Sequence, residues 1–325
     1  MTPVPLRSEL PSARVLSLGE ALIDVVIRAD STQEHVGGSP LNVAVGMATL
    51  GQPTCLCAYW GKDSRGEAVR GRAEAAGVEI CPGTDTADRT PVAYAHIDDK
   101  GRATYDFELT WAVPHLPDLS RFGHLHTGSI AATLEPGGSS VVDAVTRMRD
   151  YGTVSYDPNI RPALMHSPEL VAERIEHLVA MSDVVKASDE DLSWLYPGVS
   201  ATDTMRRWAQ AGPALVVVTR GQLGADALLA SNHELLHLDN MQVEVADTVG
   251  AGDSFMAGLL TGLLDAGLLG SAQARQRFSQ AEWPDVQPAL HRALATSALT
   301  VSHSGSYAPA MAEVVAVLAT DPLLR

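Results

Sequence analysis

The sequence predicts an α/β fold in which a mainly parallel sheet lies between layers of helices. Short apolar or β-branched runs alternate with longer segments that have apolar residues at helical spacing. The predicted strands are 15–18, 124–126, 153–156, 184–186 and 215–218. The predicted helices are 41–50, 64–76, 137–150, 168–180, 201–211, 254–269 and 287–301. Strands that alternate with helices in this way pair in parallel and are covered on both faces.

Each predicted strand stops at a small or polar residue. In chain order, the stretches that follow the strands are Gly19-Glu20, Thr127-Gly128-Ser129, Asp157-Pro158-Asn159, Ser188 and Thr219-Arg220-Gly221. Ligands of open α/β sheets collect outside the carboxyl ends of the strands. These polar stretches are therefore where we expect the chemistry of the protein.

Two stretches do not follow the alternation. Residues 22–36 and 90–110 have the pattern of extended, antiparallel segments, the second with an Asp-Asp-Lys-Gly hairpin turn at 98–101. They predict a small sheet appended to the large one, with the role of a lid. The chain has no fixed-period repeat and no linker long enough to separate domains. We therefore expect one domain over 1–325, with the two lid segments inserted in it.

The composition is that of a folded protein with an acidic surface. Of 325 residues, 46% are apolar and 19% are charged, which argues against global disorder. Lys and Arg number 23 against 39 Asp and Glu, which gives a formal net charge of −16. That balance disfavours a nucleic-acid partner bound through its phosphates and opposes binding to an anionic membrane. An anionic ligand would need local donors, such as backbone N–H groups or single arginines.

The three cysteines, Cys55, Cys57 and Cys81, are interpreted as buried free thiols rather than as a metal or redox site. Cys55 and Cys57 lie in the strand-like stretch TCLCAYW, outside the alternation described above, and no second Cys or His pair stands at zinc-like spacing. Free thiols indicate a reducing compartment. The sequence shows no signal-peptide pattern at its start and no uninterrupted apolar run of about 18 residues. We therefore expect a cytoplasmic protein.

The stretch Gly250-Ala251-Gly252-Asp253-Ser254 has several interpretations. A dinucleotide fingerprint fails because Phe255 stands where the third glycine belongs and because the loop lies late in the chain. An esterase nucleophile at Ser254 should be followed by an Asp-x-x-His pair, which is absent. A P-loop needs a lysine that this stretch lacks. A phosphate cradle remains, alongside a tight turn in which Asp253 and Ser254 only cap a helix.

A cradle at this position follows from backbone chemistry. Gly250 and Gly252 allow successive N–H groups to turn toward one point, and a helix predicted to begin near Ser254 adds its positive end there. Such donors stabilise the charge that a phosphoryl group spreads over three oxygens during transfer. The carboxylate of Asp253 would be repelled beside a phosphate unless it accepts a proton from an incoming hydroxyl.

Two long stretches resemble one protein family. Residues 247–258 (DTVGAGDSFMAG) resemble the C-terminal signature of ribokinase-type sugar kinases, the PfkB family. Residues 37–44 (GGSPLNVA), followed by Gly51 and Gly61, resemble the N-terminal signature of that family. The resemblance implies a ribokinase-like, three-layer α/β/α sandwich with a small β-sheet lid. It also implies transfer of the γ-phosphate of ATP to a sugar hydroxyl, with Mg²⁺.

The resemblance also assigns the reacting groups. It makes Asp253 the base that accepts the proton of the sugar hydroxyl. It makes the N–H groups of Gly250, Ala251 and Gly252 the donors that bind the γ-phosphate as it transfers. Both assignments agree with the backbone argument, because catalysis of this kind depends on positioning and on charge stabilisation.

For the sugar, the resemblance indicates Gly38, Asn42 and Asp24. Asn42 would otherwise make a hydrogen bond inside the core, and Asp24 would otherwise be a solvated acid. Residues 157–161 (DPNIR) resemble the D-P-N-x-R stretch of fructokinases and 2-keto-3-deoxygluconate kinases. Arg161 would hold a substrate or nucleotide phosphate, or would form a structural ion pair.

For ATP, the resemblance indicates a loop beside the phosphates and ribose, and the two cradle glycines: Thr219, Gly221, Gly224, Gly250 and Gly252. The Asn-x-x-Glu motif of the family aligns with 188–191 (SDED), in which both end residues differ. Ser188 would then contribute to the ATP site and Asp191, through water, to Mg²⁺. The alternative is a helix N-cap at Ser188 closed by Asp191. Mg²⁺ usually keeps several waters and binds substrate phosphates, so no protein cage is expected.

Asp247, Thr248 and the loop 302–307 correspond to a monovalent-cation site of some relatives, which would take K⁺. Closure of the lid would exclude water from the poised phosphoryl group. An exposed strand edge of the lid would pair across a two-fold axis, which predicts a homodimer.

The substrate is inferred from three stretches that most resemble fructokinases: GEALID at 19–24, DPNIR at 157–161 and VKASDE at 185–190. They indicate D-fructose, converted to fructose 6-phosphate. A 2-keto-3-deoxygluconate kinase is the second interpretation, and its acid substrate would require another cation near Arg161. Adenosine and ribose kinases are further alternatives. A sugar-binding sensor without turnover is an alternative of another class, although a sensor has no need of a base at the cradle.

Overall fold

The structure, a computed structural model, describes residues 13–98, 102–113 and 115–320. Within these ranges the strands are β1 (Val15–Leu18), β2 (Leu22–Ile27), β3 (Thr32–Gly37), β4 (Thr54–Cys57), β5 (Glu79–Ile80), β6 (Val92–Ile97), β7 (Ala103–Glu108), β8 (His124–Gly128), β9 (Thr153–Asp157), β10 (Val184–Ser188), β11 (Leu215–Thr219), β12 (Ala225–Leu229) and β13 (Leu235–Leu238). The helices are α1 (Ser39–Thr49), α2 (Ser64–Ala75), α3 (Gly137–Met148), α4 (Pro162–Met165), α5 (Pro168–Met181), α6 (Asp189–Leu195), α7 (Ala201–Ala211), α8 (Ala251–Asp265), α9 (Ala272–Phe278), α10 (Trp283–Val301) and α11 (Met311–Thr320).

The large sheet has the strand order β13-β12-β11-β10-β9-β8-β1-β4-β5. From β11 to β5 all neighbouring strands are parallel. β12 and β13 extend the β11 edge in antiparallel pairing. The predicted fold class, with a mainly parallel central sheet, is confirmed.

Helices cover both faces of this sheet, as alternate residues of β10 illustrate. Val184 belongs to the core cluster that contains Leu259 of α8 and Leu290 of α10. Its neighbour Val185 belongs to the opposite cluster, with Leu178 of α5. Successive side chains of a strand point to opposite faces, and full burial of a Val or Leu contributes roughly 1.5–3 kcal/mol. The result is a three-layer arrangement with apolar packing on each side of the sheet.

Several helices begin at a side chain that caps the first turn. Asp63 accepts a hydrogen bond from the Gly66 amide at 2.8 Å, ahead of α2. Ser200 does the same for Asp203 in α7, and Ser271 for Ala274 in α9. Short polar side chains at this position satisfy amides that the helix itself leaves without acceptors. The cap residues therefore fix where the chain turns from strand ends into helices.

The small sheet is formed by the two stretches that were predicted for it, in the order β3-β2-β6-β7. Each stretch is an antiparallel hairpin, and the parallel pairing of β2 with β6 joins the two. Of the hairpin turn predicted at 98–101, residues 99–101 lie outside the described ranges. One row across this sheet pairs Asp24 with Ala93 and Ala93 with Phe107. That row places a carboxylate and an aromatic ring on one face of the sheet, on either side of Ala93.

All three cysteines are free and buried, as predicted. None of the helices in the described ranges combines the length and the apolarity that crossing a bilayer would require.

Candidate active site

Two cavities meet at the carboxyl ends of the parallel strands. The first, of about 550 Å³, lies against the small sheet and is lined by Asp24 and Phe107. The second, of about 500 Å³, is lined by Ser188 and Thr219, which end β10 and β11. Both cavities are lined by Asn159, Arg161, Pro162, Thr248, Ala251 and Gly252. The junction of the two cavities is therefore the N-terminus of α8, where a helix offers its positive end.

Helix α8 begins at Ala251, so the prediction of a start near Ser254 was wrong. The N-cap is Gly250, with φ 77°, rather than Asp253 or Ser254. A Cβ atom at Gly250 would lie 2.7 Å from Cβ of Ser306, and L side chains rarely adopt this left-handed backbone. Because glycine has no side chain to accept from the first turn, this helix start at the cavity junction has no side-chain cap. The Ala251 amide makes one long contact, 3.3 Å, with the Thr248 carbonyl.

The carboxylate of Asp253, on the first-cavity side of this junction, is held by the first turn of α1. It accepts hydrogen bonds from Ser39 Oγ at 2.6 Å and from Asn42 Nδ2 at 2.7 Å. Helix α1 enters through Gly38, whose φ of 107° turns the chain and whose Cβ would lie 2.5 Å from the Glu20 carbonyl oxygen. The two sequence signatures therefore meet in one hydrogen-bonded group, 214 residues apart for Ser39 and Asp253. The arrangement fixes an acceptor for a hydroxyl proton.

The residues predicted to bind the sugar all line the first cavity: Asp24, Gly38, Asn42, Arg161 and Asp253. Oδ1 of Asn42 is buried and has no hydrogen-bond partner in the described part of the chain. Since Nδ2 of the same amide is hydrogen-bonded to Asp253, the side chain presents an acceptor beside this cavity.

Arg161 is exposed at the junction of the cavities. Its guanidinium donates to the carbonyl oxygens of Asn159 and Ile160, at 3.4 and 3.1 Å. Between 13 and 320, within the described ranges, no carboxylate forms an ion pair with it. The structural ion pair that the sequence left open for Arg161 is therefore absent from the described ranges. Its positive charge stays available to a ligand.

The residues predicted to bind ATP line the second cavity, with one exception: Ser188, Thr219, Gly221, Gly224 and Gly252 line it, whereas Gly250 lines the first cavity. Ser188 caps α6 and forms a capping box with Asp191, the alternative that the sequence left open. The carboxylate of Asp191 accepts from the amides of Ser188 and Ile160, both at 2.8 Å. Asp191 therefore links the ends of β9 and β10 at the cavity wall.

Asp247 joins the cradle to the loop 302–307. One carboxylate oxygen accepts from the Val249 amide at 3.0 Å and the other from the Gly305 amide at 2.9 Å. These backbone hydrogen bonds hold the pKa of Asp247 below its usual value. Asp247 lines neither cavity, whereas Thr248 lines both. Across the described ranges, no three His, Cys, Asp or Glu side chains surround a common metal position.

A family match identifies the kind of protein to which this site belongs. The pfkB family of carbohydrate kinases matches residues 12–313. The chain belongs to the PfkB family. The fructokinase of Salmonella typhimurium is 32% identical to it over 273 residues, which cover 79% of this chain and 86% of that protein. This PfkB kinase is therefore a sugar phosphotransferase.

Solved structures show the same architecture. The fructokinase from Xylella fastidiosa with bound ATP superposes with a TM-score of 0.80 at 24% identity, covering 95% of this chain and 99% of that chain. A double mutant of the fructokinase from Vibrio cholerae O395 was solved with fructose, ADP and potassium ion. It superposes with a TM-score of 0.76 at 27% identity, covering 94% of this chain and 98% of that chain. The predicted ribokinase-like fold of this PfkB kinase is confirmed.

A buried ion pair beside the cradle of this PfkB kinase was not predicted from the sequence. Nζ of Lys186 lies 2.8 Å from the carboxylate of Asp157, and the two side chains are 5% and 1% exposed. A Cβ atom at Gly252 would lie 3.0 Å from this Nζ. Burial opposes the ammonium form, but attraction to Asp157, Asp191 and Asp253 outweighs it and raises the pKa of Lys186. A lysine inside the apolar strand VVKAS was the available signal, because a buried charge needs a partner.

Glu20 and Ser39 also line the first cavity and were not among the predicted site residues. The Glu20 side chain is buried, and Oε2 accepts a hydrogen bond from the Ala131 amide at 3.1 Å. Burial raises the pKa of Glu20 from 4.5 to about 7. Glu20 therefore anchors the turn Ser129–Ala132 at the cavity wall with a carboxyl group that titrates near neutral pH.

Glu20→Gln is expected to reduce the pH dependence of stability. Because the folded pKa is the higher one, the folded state keeps a proton that the unfolded chain has released. Wild-type stability therefore falls as pH rises from about 4.5 through about 7, by about 3 kcal/mol for this group. Glutamine keeps an oxygen for the Ala131 amide and has no charge to bury. Urea unfolding should show a larger free energy of unfolding for the variant than for wild type at pH 8, but not at pH 5.

The exposed Glu244 provides the matched control, since Glu244→Gln removes a charge from the surface. Equal pH dependences of Glu20→Gln and wild type would contradict a titrating carboxyl at this place.

Proposed function

We propose that this PfkB kinase transfers the γ-phosphate of ATP to D-fructose and forms fructose 6-phosphate. The first cavity would bind the sugar and the second the nucleotide. The supporting observation is the carboxylate of Asp253, which lines the first cavity next to Gly252, a residue that both cavities share, and is oriented by Ser39 and Asn42. Fructokinases are prominent among its relatives, which favours the same sugar here.

In the proposed reaction, the sugar hydroxyl gives its proton to Asp253 as its oxygen attacks the γ-phosphorus, and ADP leaves. An ionised carboxylate has about four acceptor positions, so Asp253 can keep both present hydrogen bonds and accept a third. The amides of Gly250 to Gly252 and the positive end of α8 would stabilise the charge on the transferring group. Arg161, between the cavities, would hold a phosphate or the substrate.

Mg²⁺ fits the second cavity only in an indirect way. Each oxygen of Asp191 accepts one amide and keeps lone pairs, and because Mg²⁺ usually keeps several of its waters, this carboxylate would hold the ion through water. When bound, Mg²⁺ neutralises charge on the phosphates of ATP. For K⁺, Asp247 and Thr248 would be the contacts, because each Asp247 oxygen accepts a single amide and retains lone pairs.

The charges in the first cavity favour a neutral sugar over a sugar acid. Three carboxyl groups line it: those of Asp24 and Asp253, and that of Glu20, which burial leaves only partly charged near neutral pH because its pKa is about 7. Among its described lining residues, Arg161 is the cation. A 2-keto-3-deoxygluconate carboxylate would therefore meet more negative than positive charge, whereas hydroxyl groups can donate to carboxylates. The aromatic rings of Tyr105 and Phe107 complete the wall, and we propose that the small sheet closes over the sugar as a lid.

ADP release with Mg-ATP, measured across fructose, 2-keto-3-deoxygluconate, ribose and adenosine, tests the substrate. Fructose is expected to give the largest kcat/KM, with fructose 6-phosphate as product. A larger value for the acid would contradict the charge argument and support the second interpretation. Sugar binding without turnover of any substrate would support the sensor. Arg161→Ala should lower kcat/KM by about 10- to 100-fold, the cost typical of a lost charge-assisted hydrogen bond to a bound ligand.

We also propose that the small sheet pairs with that of a second copy. Strand β3, at its edge, is mostly exposed and has one unpaired side in the described ranges. Sedimentation of the full chain should then show a dimer, and a concentration-independent monomer would contradict the pairing.

A further inference from the structure

Arg72 of α2 binds two separate parts of the site from behind. Nη2 donates to Ser306 Oγ at 2.7 Å and to the Ser306 carbonyl at 3.0 Å. Nη1 donates to the Val36 carbonyl at 2.5 Å. Neither Ser306 nor Val36 belongs to α2, so one guanidinium joins three segments that are far apart in the sequence.

Both partners lie next to residues of the site. Ser306 packs against Gly250, close enough that a Cβ atom there would approach it to 2.7 Å. Val36 is in β3, immediately before the Gly37-Gly38 turn that leads to Ser39 and Asn42. Arg72 is thus hydrogen-bonded on one side to the loop that supports the cradle. On its other side it is hydrogen-bonded to the strand that leads into the sugar-binding turn.

The charge of Arg72 has no carboxylate ion-pair partner in the described part of the chain; carbonyl and hydroxyl oxygens hold it. Burial lowers the pKa of Arg72, and the carboxylates of Asp253 and Asp24 act against that effect. Surface ion pairs contribute little to stability, and Arg72 forms none in the described part of the chain. Its planar donors instead fix the relative positions of the groups they bind.

We propose that Arg72 is a positioning residue that holds the small sheet and the start of α8 in fixed relation. In this way it keeps Asp253 and its α1 partners aligned with the phosphate cradle. This rests on the proposed function only in that Asp253 is the base; it holds for any sugar that is turned over. A displacement of about 1 Å between reacting groups costs about 10²-fold in rate. Loss of Arg72 should therefore affect kcat more than KM.

The test compares Arg72→Ala and Arg72→Lys with Arg70→Ala as the matched control. Arg70 lies on the same helix but pairs with Glu74 and Asp85, away from the cavities. With the sugar that gives the highest turnover, Arg72→Ala is expected to lower kcat 10- to 100-fold and to change KM less than threefold. Arg72→Lys should recover part of kcat, because an ammonium group binds Ser306 but lacks the fork that also reaches Val36. Arg70→Ala should match wild type.

A second measurement does not need turnover. Hydrogen exchange of the segments 247–254 and 302–307 should be faster in Arg72→Ala than in Arg70→Ala, while the strands of the large sheet stay protected. Unchanged kcat with unchanged exchange would overturn the proposal. A loss of kcat accompanied by faster hydrogen exchange throughout the protein would also overturn it, because Arg72 would then only stabilise the fold. If no sugar is turned over, the proposed function fails, and the exchange result still decides the role of Arg72.

Discussion

Asp253→Asn is expected to lower kcat by about 10²–10⁴-fold while sugar and ATP still bind. Asparagine has nearly the same shape and can keep one oxygen for Ser39 Oγ or Asn42 Nδ2, which now lie at 2.6 and 2.7 Å from the carboxylate. It cannot accept the proton of the attacking hydroxyl at neutral pH. Steady-state kinetics, with calorimetric titration of each ligand, would separate lost chemistry from lost binding.

The control for this prediction is Asp265→Asn, at the other end of the same helix. Asp265 is half-exposed and pairs with Arg292, so it shares the helix with Asp253 but not the cavity. We expect wild-type kinetics from it. An Asp253→Asn enzyme with nearly full turnover would show that Asp253 is not the base. Loss of sugar binding together with turnover would instead make Asp253 a binding residue.

The parallel part of the fold could be predicted because its signal is local. The predicted strands 15–18, 153–156 and 215–218 agree with β1, β9 and β11 to within one residue at each end. Strands β12 and β13 were not predicted. Their sequences, ADALL and LLHL, are short apolar runs that periodicity cannot separate from a buried helix segment. They form an antiparallel edge of the sheet, which the alternation of strands and helices does not predict.

The start of α8 shows where a local rule gave the wrong answer. Asp and Ser favour N-cap positions, so Asp253 and Ser254 looked like the beginning of the helix. The chain instead turns at Gly250, because contact with Ser306 leaves no room for a side chain there. That contact joins residues that are distant in the sequence, so it cannot be predicted from the residues around 250. The consequence is functional, since the earlier start places Asp253 inside the first turn with its carboxylate directed to α1.

The site residues found from the sequence are those to which a motif assigns a role, whereas the missed ones depend on long-range pairs. Ser39 lies inside the signature 37–44 and was still missed, because its role depends on Asp253, which is distant along the chain. Arg72 likewise gains its role from Ser306, on the far side of the sequence. In isolation, a serine after two glycines and an arginine on an exposed-looking helix are ordinary residues. Their chemistry arises when the sheet order brings α1, α2 and α8 to one edge.

Lys186→Met is expected to lower both stability and turnover. Removing one member of a buried ion pair leaves Asp157 as an uncompensated charge, which costs about 3–5 kcal/mol. The lost ammonium also lies next to Gly252 at the cavity junction, where a phosphoryl group would carry its charge. Loss of one such stabilising donor typically costs about 10²–10³-fold in kcat. Urea unfolding and steady-state kinetics with Mg-ATP would measure the two effects.

The double variant Lys186→Met with Asp157→Asn separates the two effects, because it leaves no unpaired buried charge. Stability should return most of the way to wild type, while kcat stays low, since the positive charge beside the cradle is still missing. Lys62→Met is the surface control: Lys62 is 73% exposed and lies 4.0 Å from Asp85, so neither property should change. Recovery of turnover together with stability in the double variant would mean that the Lys186–Asp157 pair only builds the fold. Persistent loss of turnover in a stable protein would assign its charge to the transferred phosphate.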